Sequence, residues 1–543
     1  MQDGFAHFSD YPCCNWKLQA WHCAKQVFWT LLLLHVSLPT AVAQSRLEFT
    51  TFESASLVGN PAGDPSTRRA QVYLPPSYEQ SQRSYPVLYL LHGTGGNEES
   101  FRGLHDVADT AIGIGRSEEF IVVAVDGSSR YSASFYENSV LNGNHRDYIA
   151  DDLVAHIDAN YRTIADRDSR GVAGHSTGGY GAILFAMKEA DVFGAAYSMS
   201  GGGLCFTRPE CATYLGGDVA VFNEGFRTWG PGLGPFANEG EALAAVQEPG
   251  DVSNLLQREM YSMASAYSPN LANQPLLVDL PWETPSLEIV PEVRDRWFEH
   301  DVFEMLPQYV DELKSLRGFA FDVGEQDEFG LAGEATSFHE ALVEADVPHD
   351  FTVYQGRHTN RINERLGEVL AFFSDRLVIP ELAVCDFDEN GSCDAADLSS
   401  DFLFSVDLTV GSTRSIDVQN YDLTRDFVVD RADLDAWLAL AAETQGFSEP
   451  FAVGDTNLDG DVNFVDFLAL FDGLNGDARD WANGNFTGGS DVGFEDFLAL
   501  SANFGTTLER QSIESVPEPS CNWLLVFLAA AISRRAFAPV VNC

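Results

Sequence analysis

The segment 174–179, Gly-His-Ser-Thr-Gly-Gly, has residue types and a spacing that suggest nucleophilic chemistry. Apolar runs at 171–173 and 180–187 flank it, which predicts a strand followed by a helix. A turn this tight leaves no room for side chains beside the serine, so Gly174 and Gly178 are expected there. The helix N-terminus would favour a negative charge developing next to the exposed Ser176 hydroxyl. The sequence therefore predicts that Ser176 is a nucleophile.

A serine nucleophile needs a base to take its proton and an acid to orient that base. Asp327 follows an apolar run that ends at Val323, and His358 follows the run 351–354. Ser, acid and His in this chain order, each just past a strand, predict a catalytic triad of Ser176, Asp327 and His358. The acids that compete with Asp327 are Asp322, Glu325 and Glu328. Taken singly, Asp327 would be read as a loop charge and His358 as a surface histidine.

The glycine-rich loop 92–96, His-Gly-Thr-Gly-Gly, closes the apolar run 86–91. Such a turn exposes backbone N–H groups, which can hold the oxyanion of a tetrahedral intermediate. We predict that the backbone N–H groups of Thr94 and Thr177 form an oxyanion hole. In isolation the loop is equally typical of an ordinary tight turn between a strand and a helix.

The elements that must position these residues alternate along the chain from about 46 to 377. Several apolar runs are unbroken, as expected of strands buried on both faces. These runs are 86–91, 120–125, 195–200 and 318–323. The segment 147–161 carries apolar residues at helical spacing. Strands that alternate with helices predict an α/β fold with a mostly parallel sheet.

Several motifs in this part of the chain occur together in one enzyme family. They are the segments 72–78, 90–93, 134–139, 146–148, 161–164, 174–181 and 356–361. With these motifs in register, residues 68–377 resemble the putative-esterase family, which includes esterase D, feruloyl and acetylxylan esterases and mycolyltransferases. The resemblance implies an α/β-hydrolase fold and ester chemistry through an acyl-enzyme on Ser176, with no cofactor for catalysis. The family's common elbow has methionine where this chain has Thr177.

One departure from the family is an insertion at about 203–312, within a hydrolase domain expected to span 44–380. The insertion carries Trp229, Trp282 and Trp297. Aromatic side chains at the edge of an active site can stack on sugar or phenolic rings. The alternative is that these tryptophans form the insertion's own small core.

The acidic residues indicate a second kind of site. The chain has 81 acidic and 32 basic residues, a net charge of −49, which makes nucleic acid an unsuitable partner. Within 381–510, the segments 386–397 and 455–466 have oxygen-bearing residues at the ligand positions of a calcium loop and glycine at the sixth position. The predicted ligands are Asp386, Asp388, Asn390, Ser392, Asp394 and Asp397 in the first loop and Asp455, Asn457, Asp459, Asp461, Asn463 and Asp466 in the second, with Ser392 and Asp461 acting through their carbonyls.

Two further copies, called worn copies here because each departs from the pattern, lie at 422–433 and 485–496. Phe427 stands at the turn of the first, and Gly489 stands at a ligand position of the second. The loops ending in Asp resemble dockerin type I repeats. This resemblance implies small α-helical, EF-hand-like repeats that hold Ca²⁺ as a structural ion. It also implies a cohesin-like or cell-surface partner. The alternative is that the acids form a solvated surface.

The two ends of the chain carry sorting patterns. Residues 1–43 contain the apolar core 27–34 and end in Ala-Val-Ala, which predicts an export signal. Residues 511–543 resemble a PEP-CTERM sorting segment. An exported protein can form disulfides, so Cys205 with Cys211 and Cys385 with Cys393 are the candidate pairs. We therefore expect an extracellular or cell-surface protein.

Together these patterns favour an exported serine esterase that acts on acyl or feruloyl esters of a polysaccharide. An acyltransferase of the same fold is the first alternative, because it differs only in whether water or an alcohol resolves the acyl-enzyme. The second alternative is a calcium-dependent surface or adhesion protein with an idle hydrolase domain.

Overall fold

The computed structural model describes residues 44–202, 205, 252–283, 286, 288–379, 383–399, 421–425, 428–476, 480–488 and 491–510. The predicted export signal and C-terminal sorting segment lie outside the described residues, as do Cys211 and Trp229. No helix within the described part is both long enough and apolar enough to cross a membrane.

Strands appear at every apolar run from which one was predicted. They are β1 (Arg46–Glu53), β2 (Thr67–Leu74), β3 (Val87–Leu91), β4 (Ile121–Val125), β5 (Asn138–Ser139), β6 (Gly143–Asn144), β7 (Arg170–His175), β8 (Ala195–Met199), β9 (Gly318–Gly324) and β10 (Asp350–Tyr354). Strands β3, β4, β7 and β8 are buried along nearly their whole length, as their unbroken apolar sequence requires.

The large sheet has the strand order β1-β2-β4-β3-β7-β8-β9-β10. Strands β1 and β2 pair antiparallel to each other, and β2 pairs antiparallel to β4. All the remaining pairings in this sheet are parallel. The prediction of an α/β fold with a mostly parallel sheet is therefore confirmed. Because parallel strands end at the same edge, the loops after β3, β7, β9 and β10 meet there.

The helices are α1 (Leu104–Gly113), α2 (His145–Asp147), α3 (Val154–Asn160), α4 (Thr177–Lys188), α5 (Val252–Tyr267), α6 (Pro291–Phe298), α7 (Val302–Met305), α8 (Val310–Ser315), α9 (Leu331–Glu344), α10 (Ile362–Ser374), α11 (Ala395–Ser399), α12 (Arg431–Thr444), α13 (Phe464–Asn475) and α14 (Phe494–Asn503). A π-helical segment, Tyr148–Leu153, joins α2 to α3. The predicted helix at 147–161 is thus present but contains this wider turn.

The two faces of the sheet support separate apolar clusters. Along β3, Val87, Tyr89 and Leu91 belong to one cluster, while Leu88 and Leu90 belong to the other. Successive side chains of a strand point to opposite faces, so each face is covered by its own layer of helices. Helices α1 and α10 cover the second face with residues such as Leu104 and Phe373.

The tryptophans of the insertion that can be described are core residues. Trp282 and Trp297 are 2% and 0% exposed and join the first apolar cluster of the sheet. Their rings lie edge to face with centroids 6.3 Å apart, and the Trp297 ring nitrogen donates to Ser268 Oγ at 2.8 Å. These two tryptophans are therefore part of the protein core and are not available to stack on a substrate ring.

The acidic repeats have an apolar cluster of their own, which includes Trp437, Trp481 and Leu470. Cys385 and Cys393 lie in this cluster and form the predicted disulfide. Cys205 is also disulfide-bonded, and the cysteine proposed as its partner is outside the described residues.

Candidate active site

The turn between β7 and α4 places Ser176 in a conformation that side chains rarely adopt. Its φ and ψ are 58° and −121°, in the left-handed region. A Cβ on Gly174 would collide with the carbonyl of Gly178, and a Cβ on Gly178 would collide with the carbonyl of Leu91. Glycine is therefore required at both positions, as the sequence predicts. The close packing around this turn stabilises the strained backbone of Ser176. Strained residues of this kind are common at active sites.

The structure brings Asp327 and His358 into direct contact. His358 Nδ1 lies 2.8 Å from Asp327 Oδ2, and the two side chains are 5% and 0% exposed. Asp327 Oδ1 accepts from the backbone N–H of Phe329 at 3.0 Å. A carboxylate placed in this way fixes the tautomer of the imidazole, with the proton on Nδ1 and Nε2 left to act as a base.

The acids that competed with Asp327 have other partners. Asp322 accepts from the Arg365 guanidinium and from Tyr197 OH at 2.8 Å, inside the core. Glu325 accepts from the Gln355 side chain near the surface. Glu328 accepts from the backbone N–H of His358 at 3.1 Å, so it contacts the histidine through the main chain only.

His175, which precedes the nucleophile, is a contact that sequence reasoning missed. Its Nε2 lies 2.9 Å from the backbone carbonyl oxygen of His358, and the two imidazole rings are 4.7 Å apart. Burial, and secondarily the nearby His358 ring, lowers the pKa of His175 to about 4. A neutral His175 can donate from Nε2 to that carbonyl and so holds the backbone of His358.

A cavity of about 370 Å³ opens over these groups. Ser176 and His358 lie in its wall together with Thr94 and the apolar side chains of Phe329 and Leu331. The glycine-rich loop comes close to the nucleophile, since a Cβ on Gly93 would lie 3.1 Å from Ser176 Cβ.

The predicted oxyanion-hole donors are available at this cavity. The backbone N–H of Thr94 has no hydrogen-bond acceptor among the described residues. Thr177 is the first residue of α4, and an N–H at that position has no partner within its helix. Both N–H groups are therefore free to hold a negative oxygen next to Ser176.

The cavity also contains Glu259, from helix α5 of the insertion, which sequence reasoning missed. This carboxyl is 6% exposed and contacts the side-chain hydroxyls of both Thr94 and Thr177. It belongs to a row of buried polar residues at every third position, with Glu259, Ser262 and Ser265 on α5 and Ser268 just after its end. The spacing of this row does not by itself indicate which residues they contact.

The predicted calcium ligands gather in two similar loops. Asp386 accepts from the N–H groups of Asn390 and Gly391, and Asp455 accepts in the same way from those of Asp459 and Gly460. Gly391 and Gly460 have φ values of 91° and 93°, as the sharp turn at the sixth position requires. One carboxylate oxygen from each of Asp386, Asp388 and Asp397 lies within 4.8 Å of the other two, close enough for the three to share one ion.

The other predicted side-chain ligands form a repeated local pattern. At loop positions three, five and nine, each side-chain oxygen accepts from the backbone N–H two residues further on. These residues are Asp388, Asn390 and Asp394 in the first loop and Asn457, Asp459 and Asn463 in the second. The residues predicted to act through their carbonyls, Ser392 and Asp461, supply N–H donors in this pattern. The donor set is all oxygen, which suits Ca²⁺.

The last residue of each loop, including the worn copies, serves as a hydrogen-bond centre. Asp397, Asp433, Asp466 and Asp496 each accept from backbone N–H groups near the start of their loop and from the residue three positions before them. The worn copies thus keep the loop closure. Phe427 and Gly489, where their ligand pattern departs, lie outside the described residues.

The strand order, the strained serine at the turn after β7 and the histidine-acid pair after β10 and β9 define an α/β hydrolase. The model of the family described as "Putative esterase" matches residues 65–362, more than half of the chain. The chain therefore belongs to the putative esterase family.

Named relatives share part of this region. Esterase Rv1288 of Mycobacterium tuberculosis (strain ATCC 25618 / H37Rv) is 36% identical over 160 residues, which cover 29% of this chain and 32% of that protein. The Endo-1,4-beta-xylanase/feruloyl esterase of Xylanibacter ruminicola is 35% identical over 151 residues, 24% of this chain and 19% of that protein. The match thus spans about a third or less of the length of these relatives. A solved ferulic acid esterase has a TM-score of 0.42 and 21% identity, covering 62% of this chain and 100% of that one.

Proposed function

We propose that the protein is a serine carboxylic ester hydrolase that acts through an acyl-enzyme on Ser176. The observation that carries this proposal is the 2.8 Å contact between His358 and a fully buried Asp327, at a cavity that also exposes the strained Ser176. Family membership over 65–362 supports it independently.

In this mechanism His358 Nε2 takes the proton of Ser176 Oγ as that oxygen attacks the ester carbonyl. The carbonyl oxygen becomes an oxyanion, which the N–H groups of Thr94 and Thr177 stabilise. His358 then gives its proton to the leaving alkoxide, and an alcohol departs. Water, activated by the same histidine, attacks the acyl-enzyme and regenerates Ser176. Asp327 stays ionised throughout and stabilises the imidazolium.

The cavity supports an apolar acyl group as substrate. Phe329, Leu331 and Ile362 line it, and the Phe329 ring lies edge-on to His358 at 4.9 Å. A volume of about 370 Å³ is within the usual range for a pocket that holds a small organic group. One relative is named a xylanase and feruloyl esterase. We therefore propose acyl or feruloyl esters of a polysaccharide as the substrate class.

The test is to assay the purified full-length protein on p-nitrophenyl acetate, methyl ferulate and acetylated xylan, with Ser176→Ala as the matched control. We expect the wild type to hydrolyse at least one of them and the variant to hydrolyse none. Addition of an alcohol acceptor distinguishes hydrolysis from acyl transfer, because a transferase forms a new ester in place of free acid. Absence of hydrolysis and transfer on all three substrates would contradict the proposal.

We further propose that the loops 386–397 and 455–466 bind Ca²⁺ as a structural ion. Their ligands would be the oxygen atoms predicted from the sequence. Burial, with Asp466 and Asp459 nearby, raises the pKa of Asp455 to about 7, and burial raises that of Asp397 to about 6. Carboxyls crowded in this way lack a counter-charge that a divalent cation would supply.

Export to the cell exterior, and a cohesin-like or cell-surface partner for the repeats, are proposals of the same kind. The apolar core 27–34 supports export, and the Cys385–Cys393 disulfide is the kind of bond that persists in an oxidising compartment. A partner surface is supported by exposed apolar residues at matching positions of α13 and α14. These residues are Phe464, Leu468, Phe494 and Leu498.

A further inference from the structure

Three side chains form a closed ring of contacts directly behind the proposed oxyanion hole. Thr94 Oγ1 lies 2.5 Å from Thr177 Oγ1 and 2.5 Å from Glu259 Oε2. Thr177 Oγ1 lies 3.2 Å from the other carboxyl oxygen, Glu259 Oε1. The two contacts of Thr94 are at the short end of the range for O–H···O hydrogen bonds, and the contact of Thr177 with Glu259 is a long one. With a hydrogen bond in each contact, each of these oxygen pairs needs a hydrogen between its members.

The number of hydrogens determines the charge of the carboxyl. The two threonine hydroxyls supply one hydrogen each, which is enough for two of the three contacts. An ionised carboxylate has none to add and would leave one pair of oxygens facing each other without a hydrogen. A protonated carboxyl supplies the third, and then Glu259 donates to Thr94, Thr94 donates to Thr177 and Thr177 donates back to Glu259.

We propose that Glu259 is neutral in the working enzyme and closes this ring, so that it acts as a positioning residue for the two backbone donors of the oxyanion hole. The inference rests on the proposed function, because the oxyanion hole has a role only if an ester is attacked. Thr94 lies in the loop after β3, and Thr177 is the first residue of α4. The ring links these two segments through their side chains.

A neutral carboxyl is also what the reaction requires at this place. An anionic glutamate beside the forming oxyanion would repel it and raise the barrier. Burial raises the pKa of Glu259, in agreement with the hydrogen count. The charged or titratable groups around it are Arg258 and Tyr267 on its own helix and His175, Glu328 and His358 at the cavity.

Two substitutions of Glu259 test whether its carboxyl is neutral or anionic in the ring. The amide of Glu259→Gln offers one N–H to Thr94 and one carbonyl to Thr177, so it reproduces the neutral carboxyl. Glu259→Leu removes both links. We expect Glu259→Gln to retain most of kcat, and Glu259→Leu to lose about 10²-fold in kcat with KM little changed, since misplaced donors weaken the transition state alone.

The pH profile gives a readout that a purely structural role would not affect. As the pH rises through the pKa of Glu259, the wild type loses the third hydrogen of the ring and kcat should fall. Glu259→Gln cannot lose that hydrogen, so the alkaline fall should be absent from it. The surrounding groups are the same in both proteins, and therefore the difference between the two profiles belongs to residue 259.

The threonines provide a second test, because Thr177→Val keeps the shape and loses the hydroxyl while Thr177→Ser keeps the hydroxyl. We expect Thr177→Ser to restore the kcat that Thr177→Val loses, and Thr177→Val to add little to Glu259→Leu. Glu334→Gln is the control for removing a buried glutamate, since Glu334 is 1% exposed on α9 and does not line the cavity. It should show the wild-type pH profile.

Infrared difference spectroscopy of the full-length protein at neutral pH tests the ring without any substrate. The wild type minus Glu259→Gln spectrum should contain the carbonyl band of a protonated carboxylic acid. The proposal is overturned if the band is that of a carboxylate, or if Glu259→Gln is as slow as Glu259→Leu. A wild type that shows the acid band yet hydrolyses no ester keeps the ring and overturns the proposed function instead.

Discussion

The hydrolase domain, residues 44–380, is called the catalytic unit below, and residues 381–510 are the acidic repeats. These two regions hold their carboxylates in different ways. Asp327 and Asp322 contact side chains that are 31 and 43 residues away in sequence. In the repeats, Asp466 and Asp496 accept from backbone N–H groups no more than ten residues away. The first arrangement exists only when the whole sheet has formed, whereas the second belongs to each loop. Catalytic geometry is therefore a property of the fold, and loop geometry is a property of the local sequence.

The two regions also differ in how their buried charge is balanced. Asp322 is paired with the Arg365 guanidinium, and Asp327 is paired with an imidazole that becomes positive during the proposed reaction. Among the described residues, Asp455 accepts from backbone donors alone and has two acidic neighbours, Asp459 and Asp466. Asp322 and Asp327 thus each have a positive or potentially positive partner, whereas the acids of the repeats would be stabilised by the cation proposed for them.

The largest effect expected in the catalytic unit follows from removal of the nucleophile. Ser176→Ala should lower kcat by about 10⁴ to 10⁶, because the members of a triad act as a unit. The melting temperature should hardly change, since the substitution removes a single oxygen at the cavity. A kcat within tenfold of the wild type would contradict the mechanism.

The second largest effect is expected from replacing the acid of the triad. Two buried aspartates are compared, because one substitution should lower kcat and the other should lower the free energy of unfolding. Asp327→Asn should cost about 10⁴ in kcat by leaving His358 in the wrong tautomer. Asp322→Asn should instead destabilise the protein by about 3–5 kcal/mol, because it leaves the Arg365 charge unpaired. Kinetics and chemical denaturation of both variants check this. The assignment is wrong if Asp322→Asn slows the remaining folded enzyme more than Asp327→Asn does.

The contrast between long-range and local geometry explains what sequence reasoning could and could not find. Apolar runs predicted the strands, and the chain order of Ser176, Asp327 and His358, each just past a strand, predicted the triad to which the contact between Asp327 and His358 belongs. The calcium-loop spacing predicted ligand positions and no hydrogen bonds. The structure adds local hydrogen bonds to these loops, whose donors and acceptors are neighbours in sequence.

Glu259 could not be found in this way, because its partners are 82 and 165 residues away. Sequence reasoning chose Asp327 over Asp322, Glu325 and Glu328 from chain order and placement, and the structure shows which of these carboxyls contacts the His358 ring. All four lie within seven residues, and only the position of β9 and its following turn decides which one faces His358. The bridging role of His175 is likewise visible only when the loops after β7 and β10 are seen together.

A smaller effect is expected from calcium, and it should appear in the repeats alone. At a hundredfold excess over Kd, a cation that binds only the folded state adds about 2.7 kcal/mol to its stability. EDTA should therefore lower the temperature of the unfolding transition that belongs to the repeats, measured by calorimetry on the full-length protein. Ester hydrolysis should continue unchanged, because no step of the proposed mechanism uses the ion.

The matched variant for this prediction is Asp455→Ala with Asp459→Ala, which removes ligands from one loop and none from the catalytic unit. It should weaken the response to calcium while leaving kcat at the wild-type value. Titration calorimetry that detects no calcium binding would mean that these acids are a solvated surface. Loss of hydrolysis on addition of EDTA would break the proposed independence of the two regions.

The smallest effect concerns the pH dependence of the catalytic unit. His175 has a pKa of about 4 in the folded protein, well below the usual value near 6.5 of an exposed histidine. Between these two values the unfolded chain binds the proton and the folded protein does not, so stability falls as the pH decreases. The loss develops between about pH 6.5 and pH 4, and the part that falls between pH 7 and pH 5 should amount to about 2 kcal/mol.

His175→Gln removes this titration while keeping an amide that can donate to the carbonyl of His358. We therefore expect the variant to lose less stability than the wild type between pH 7 and pH 5 in urea denaturation experiments. His92 and His145, which are buried, likewise have lowered pKa values and remain in both proteins, so they cancel in the comparison. Equal slopes for the two proteins would show that the fold leaves the pKa of His175 at its unfolded value, which would contradict this prediction. In that case His175 would take up its proton at the same pH in both states, and below that pH both of its ring nitrogens would be donors.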